Sequence, residues 1–165
     1  MLKMGEKPTI LVASVRDVFC GNRVKIIAPS NVYGCKLGDD CFVGPFVEIQ
    51  KDVSIGARTK VQSHSFICEL VEIGSDCFIG HGVMFINDLF ATGGPARGRR
   101  ELWKSTSVGD RVSIGSNATI LPVRICSDVV VGAGAVVTRD IEEAGVYIGN
   151  PARLQRRLEK PADAA

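Results

Sequence analysis

The chain carries only two histidines, His64 and His81, 17 residues apart. An imidazole with its ordinary pKa of about 6.5 exchanges a proton near neutral pH, which suits a general base. Asn87 and Asp88 follow His81 in the stretch IGHGVMFIND, and Asn117 stands in IGSNATI. An asparagine amide can donate to a developing oxyanion. Asn and Asp equally well cap turns by bonding their own backbone. Further on, Arg97, Arg99, Arg100 and Lys104 gather in NDLFATGGPARGRRELWKSTS. Guanidinium forks match phosphate oxygens, so this segment reads as a flap over an anion. Read without chemistry, it is a long solvated loop. Trp103 within it either stacks on an aromatic ligand or anchors the loop.

These residues interrupt a repeat that has to position them. Steps of six from Leu37 reach Val43, Ile49, Ile55, Val61, Ile67, Ile73, Ile79 and Phe85, all apolar. Two residues before each stands a small or β-branched residue: Cys35, Cys41, Val47, Val53, Thr59, Ser65, Val71, Cys77 and Val83. Glycine follows the aliphatic position at 38, 44, 56, 74 and 80. Neither a helical period nor simple strand alternation produces this pattern. It predicts a prism of short parallel strands with three walls to a coil. Coils stack at about 4.8 Å, and glycine supplies left-handed backbone at the corners. One coil cannot bury its apolar face alone, so stacking makes the core.

The pattern stops at Asn87 and resumes at Val108, Ile114, Ile120, Ile125, Val131 and Val137, with one five-residue step from Ile120 to Ile125. The expected organisation is therefore one all-β domain with coils over 24–86 and 108–138 and an inserted loop over 87–107. Residues 24–34 are apolar but out of step, and read as an irregular capping coil. Leu154 and Leu158 stand at i,i+4 among arginines, which predicts a short amphipathic C-terminal helix over 150–160. Residues 161–165 read as a frayed end. Strand alternation turns His64, His81, Asn117, Glu48 and Gln50 outward. His64 and His81 then lie almost one coil apart, with Asn117 in the phase of His64.

The bulk numbers narrow the partners. At 165 residues with a formal net charge of +2 and 45% hydrophobic residues, the chain is ordinary for a soluble domain. The charge is too mild for nucleic acid. The run TILVASV is too short to span a membrane and lacks the pattern of a secretion signal. A cytoplasmic location without membrane insertion is expected. Six cysteines without a Cys-x-x-Cys pair, three of them at the small buried phase, read as reduced core residues.

The hexads resemble the left-handed β-helix acyltransferases, the hexapeptide-repeat family, over roughly residues 24–158. The tail VVGAGAVVTRDI…GNPAR is similar to that family's signature for fold and acyl-CoA use. NVYGCKLGDDCFVGPFVEIQ, SHSFIC and GHGVMFIND resemble the branch that N-acetylates 3-amino sugars linked to nucleoside diphosphates for surface polysaccharides. The resemblance implies acetyl-CoA as co-substrate, a UDP- or dTDP-sugar acceptor, and a homotrimer with sites between subunits. It implies Glu48 and Gln50 as sugar-nucleotide contacts, to which the outward phase of His64, the place of Asp88 at the strand end and the guanidinium chemistry of Arg97 and Arg99 add these four as substrate contacts. Gly132, Gly134, Asn150 and Arg153 follow as coenzyme contacts. His81, Asn87 and Asn117 are the catalytic candidates, and no metal is implied. The turn ILPVRIC departs from the family, with Cys126 where glycine is expected.

Amide formation from a thioester needs a neutral amine, a polarised carbonyl and a thiolate leaving group, which gives His81 its role as base and the asparagines theirs as donors. A mechanism without a protein base, in which the departing thiolate takes the proton, is the alternative. An O-acetyltransferase acting on a sugar or serine hydroxyl is the nearest rival. A zinc hydratase of the γ-carbonic-anhydrase type would need three histidines, and each chain has two. A β-helix subunit serving assembly or binding would show no affinity for coenzyme A.

Overall fold

The computed structural model describes residues 14–158. Its strands, mostly two or three residues long, form three parallel walls around one axis. The first wall stacks seven strands: Val15–Arg16, Asn31–Tyr33, Glu48–Ile49, Phe66–Ile67, Met84–Phe85, Thr119–Ile120 and Val136–Val137. The second stacks six, from Phe19–Cys20 to Arg124–Ile125, and the third eight, from Lys25–Ile26 to Arg153–Arg157. The expected solenoid of hexads is therefore present. The aliphatic phase forms its core: Val32, Ile49, Ile67, Phe85 and Ile120 stack in register and are fully buried.

Three features differ from the sequence expectation. The regular coils begin at Val15, because Val15 pairs with Val32, Cys20 with Leu37 and Ile26 with Val43. Residues 24–34 are thus an ordinary stretch of coil. They look out of step only because the corner from Val32 to Leu37 has five residues, like that from Ile120 to Ile125.

The repeat glycines have a different reason from the expected one. A Cβ on Gly38 would lie 2.6 Å from the backbone nitrogen of Ala57 in the next coil, so the position needs close approach. The left-handed residue comes two positions later and is usually not glycine: Asp40, Phe46, Arg58, His64, Asp76, Arg111, Asn117 and Asp128 all have φ between 57° and 64° except Arg111 at 55°.

The third difference is the C-terminal helix. Arg153–Arg157 is instead a strand, antiparallel to Gly145–Ile148 with a bulge at Val146/Tyr147. The last coil leaves a row of unpaired backbone groups, and the tail satisfies them. Gly145 permits this, since a Cβ there would lie 2.5 Å from Leu154 Cδ1 and 2.9 Å from Arg156 O. All five residues of the strand are exposed, so the Leu154/Leu158 spacing buys no helical packing face. The only helix among the described residues is a 3-10 turn at Arg100–Leu102. No described helix is long and apolar enough to cross a membrane.

Candidate active site

The register of the coils decides which side chains meet. Between the third and first walls, the corners stack in two neighbouring columns. One runs through Phe46, His64, Gly82, Asn117 and Gly134, all with positive φ. The other contains Pro45, Ser63, His81 and Ser116, each of whose carbonyls accepts the backbone N–H of the left-handed residue one coil on. Ser63 and His81 are 18 residues apart, and Ser63 Oγ lies 2.8 Å from His81 Nδ1. Base action requires Nδ1–H to donate to Ser63 Oγ, the tautomer that leaves the Nε2 lone pair free. His81 is exposed, so that lone pair faces outward from the corner.

The Asn117 N–H donates to the His81 carbonyl at 2.8 Å, and its side-chain amide lies over Gly82. A Cβ on Gly82 would come within 2.4 Å of Asn117 Oδ1, so the glycine makes room for that amide. His64 and Asn117 share one column, in the phase the sequence indicates, with Gly82 between them. The His64 ring stacks on Phe46 with centroids 4.9 Å apart and planes tilted by 35°. This contact packs one face of the His64 ring against Phe46 of the coil below, whereas His81 is exposed at the next corner up.

The corner continues upward to the coenzyme candidates. The Gly134 N–H donates to the Ser116 carbonyl, and the Val136 N–H to that of Gly149, which joins the corner to the turn before the last strand. Gly134 has open space around its Cβ position, whereas a Cβ on Gly132 would strike Ile148. Asn150 and Arg153 are exposed at this end, with Arg153 Nη1 donating only to the adjacent Ala152 carbonyl. Cys126 sits on a different edge, in the glycine column between the second and third walls.

The remaining candidates lie at the far edge of the first wall. Asn87 Nδ2 donates to the Glu69 carbonyl at 3.2 Å. Asp88 is a turn staple: its two carboxylate oxygens accept the N–H of Phe90 at 2.9 Å and of Ala96 at 2.6 Å. Gln50 Nε2 donates to Glu48 Oε1, and Gln50 Oε1 accepts the Glu69 N–H. Arg97 and Arg99 line an open cradle with Thr92, Gly93, Gly94 and Pro95. His81 and Asn87 thus bracket the strand Met84–Phe85. Six residue steps of strand and corner lie between them, a reach of at most roughly 20 Å at about 3.3 Å per residue. They stand at opposite edges of the first wall.

These contacts bring forward Ser63 and Glu69, which sequence reasoning passed over, and give Arg100 a partner that its place in the basic cluster did not indicate. Ser63 could have been found by stepping one 18-residue coil back from His81. Glu69 and Arg100 could not, because their meeting depends on how the loop folds. Glu69 is 8% exposed in the edge column, 3.7 Å from both Lys51 and Arg100. The buried thiols are held protonated: burial pushes Cys35 up to about 11 and Cys68 up to about 12. Cys35, Cys41, Cys68 and Cys77 are core residues as expected, whereas Cys20 is exposed and Cys126 half-buried, so the core reading fails for those two.

Two repeat families match the chain. "Bacterial transferase hexapeptide (six repeats)" covers residues 34–69, and "hexapeptide repeat of succinyl-transferase" covers 105–139. The bifunctional protein GlmU of Prochlorococcus marinus (strain MIT 9313) is 31% identical over 154 residues, 92% of this chain. The chain spans only 32% of that relative's length. Among solved structures, the perosamine N-acetyltransferase of Caulobacter crescentus, in complex with CoA and GDP-perosamine, superposes with a TM-score of 0.68 at 27% identity. That match covers 80% of this chain and 56% of the other. A hexapeptide-repeat acetyltransferase of Vibrio cholerae, complexed with acetyl coenzyme A, gives a TM-score of 0.64 at 26% identity, covering 78% and 73%. Repeat, parallel walls and neighbours agree, and the chain is a hexapeptide-repeat β-solenoid protein.

Proposed function

We propose that the protein is an acetyl-CoA-dependent N-acetyltransferase acting on the amino group of a nucleotide-linked 3-amino sugar. The observation that carries this reading is the Ser63–His81 pair at 2.8 Å on an exposed corner whose column leads to Gly134 and on to the Gly149–Ala152 turn. His81 Nε2 takes the proton that the attacking amine must lose, while Asn117 or a backbone N–H steadies the developing oxyanion. Gly132, Gly134, Asn150 and Arg153 bind the coenzyme above it. Glu48, Gln50, His64, Asp88, Arg97 and Arg99 hold the sugar nucleotide, and Asn87 holds the amine. The likeness to an N-acetyltransferase crystallised with CoA and GDP-perosamine supports both substrate classes.

A homotrimer answers the separation of His81 from Asn87, because an adjacent copy can bring its loop edge to this corner. Exposed Phe46 in the histidine corner, with Phe78 and Met84 on the two walls that flank it, supplies the apolar surface for such packing. A hydroxyl acceptor is the second reading. The Ser63–His81 pair favours it to the extent that a hydroxyl needs a positioned base more than an amine does.

The test offers acetyl-CoA with UDP-, dTDP- and GDP-linked sugars in 3-amino, 4-amino and hydroxyl forms, following thiol release and product mass. Turnover confined to a 3-amino form is the expected result. Turnover of hydroxyl forms alone establishes the second reading, and failure to bind acetyl-CoA defeats both.

A further inference from the structure

Three arginines stand within four positions of the 87–105 segment, and the fold treats one of them differently. Arg97 and Arg99 have no carboxylate partner among the described residues; Arg99 Nε only donates to the Ala96 carbonyl. Arg100 turns back to the solenoid. Its Nη2 donates to Asp52 Oδ2, 48 residues earlier in the chain, and its Nε lies 3.7 Å from Glu69 Oε2. That Glu69 oxygen is buried and has no hydrogen-bond partner. The Glu69 carbonyl meanwhile accepts Asn87 Nδ2 at the start of the segment, and the Lys104 N–H closes the base on the Asn87 carbonyl at 2.9 Å. Between these ties, Asp88 staples the backbone and Ala96 is buried at 2% exposure.

We infer that Arg100 is a positioning residue that latches the 87–105 segment onto Asp52 and Glu69, so that Arg97 and Arg99 project as a fixed pair toward a phosphate-bearing ligand. An exposed ion pair alone holds little. The Glu69 end is different: Lys51 stays 3.7 Å from Oε1, but removing Arg100 takes away the cation nearest the buried Oε2, which no donor satisfies. The charge of Arg100 is thereby spent on the solenoid, which leaves the other two guanidiniums for the ligand. The phosphate assignment rests on the proposed function; the latch itself does not.

The test measures amide hydrogen exchange over residues 89–104 and steady-state kinetics for Arg100→Gln, Arg100→Lys, Asp52→Asn and the Arg97→Gln/Arg99→Gln double variant. In Arg100→Gln, exchange should speed about fivefold, the equivalent of one well-formed surface pair, and KM for the sugar nucleotide should rise by a similar factor with kcat within about twofold. Arg100→Lys should recover most of both, and Asp52→Asn should shift both in the same direction by less. The double variant should raise KM and leave exchange as in the native protein. Native exchange in Arg100→Gln overturns the latch. So does a raised KM without faster exchange, since Arg100 would then touch the ligand itself. If no sugar nucleotide is turned over by the native protein, the proposed function fails while exchange still decides the latch.

Discussion

Ser63 Oγ and His81 Nδ1 meet at 2.8 Å across one turn of the solenoid. The pair exists because the coil at that level has 18 residues, which places Ser63 directly beneath His81. Replacing His81 by Ala should lower kcat by about 10²- to 10⁴-fold, the range of a lost general base, with thermal stability unchanged. Ser63→Ala should cost less, about tenfold, as expected for one hydrogen bond that selects the tautomer. Native turnover in His81→Ala would falsify the base role and favour proton uptake by the departing thiolate.

Gly82 is held at φ 65° with Asn117 Oδ1 over its Cβ position. Gly82→Ala should destabilise the fold by about 1–2 kcal/mol from the left-handed backbone alone. It should also displace the Asn117 amide and lower kcat beyond what the stability loss explains. Asn117→Ala in the Gly82→Ala background provides the check: if the two kcat losses add in full, the glycine does not act through Asn117.

Along the corner between the second and third walls, Arg23, Asp40, Arg58, Asp76, Arg111 and Asp128 alternate in charge coil by coil. Hydrogen bonds from Arg23 and Arg58 hold the Asp40 and Asp76 carboxyls below their usual range. A carboxylate with a depressed folded-state pKa stabilises the fold above its unfolded value of about 3.9, and that contribution is lost as pH falls through the lower folded value. Asp76→Asn should therefore lower Tm at pH 7 and leave it unchanged near pH 2. Because these groups are exposed, the pH 7 difference should shrink in 1 M salt, where the screening length is about 3 Å. Melting curves at two pH values and two salt concentrations decide it, and a difference that persists at pH 2 rules the ladder out as its source.

Burial holds the Cys35 and Cys68 thiols at about 11 and about 12, while Cys20 is exposed. A thiol reagent at pH 8 should modify Cys20 first, Cys126 more slowly, and the buried four only on unfolding. Intact-mass spectrometry over time counts the additions. Rapid modification of four or more sites in the native protein would contradict the packed core.

A Val at Gly145 would collide with Leu154 and with the Arg156 carbonyl. Gly145→Val should release the Arg153–Arg157 strand, costing about 1–3 kcal/mol as an overpacked contact. Exchange protection should vanish on the last strand and persist on Val129–Val131. Equal protection on both would mean that the strand pairs without needing the glycine.

The sequence by itself determined the solenoid. Leu37 to Phe85 and Val108 to Val137 announce an inward column because burial depends on residue type at a repeated phase, a local property. It also marked the break at Asn87 and the shared phase of His64 and Asn117. The tertiary structure decided whatever depends on coil length. Ser63 meets His81 at a step of 18, but Phe85 meets Ile120 at a step of 35. Three hexads print the first step, but only the fold, which closes the coil across the inserted loop, sets the second. The repeat glycines look like corner hinges in one dimension, and only the next coil shows that they make room for its backbone. The arginine-rich tail matched a helix by spacing, yet the unpaired groups of the last coil offered it a strand. Arg100 found Asp52 and Glu69 for the same reason: the partners of an edge are set by what the stacked coils leave exposed there.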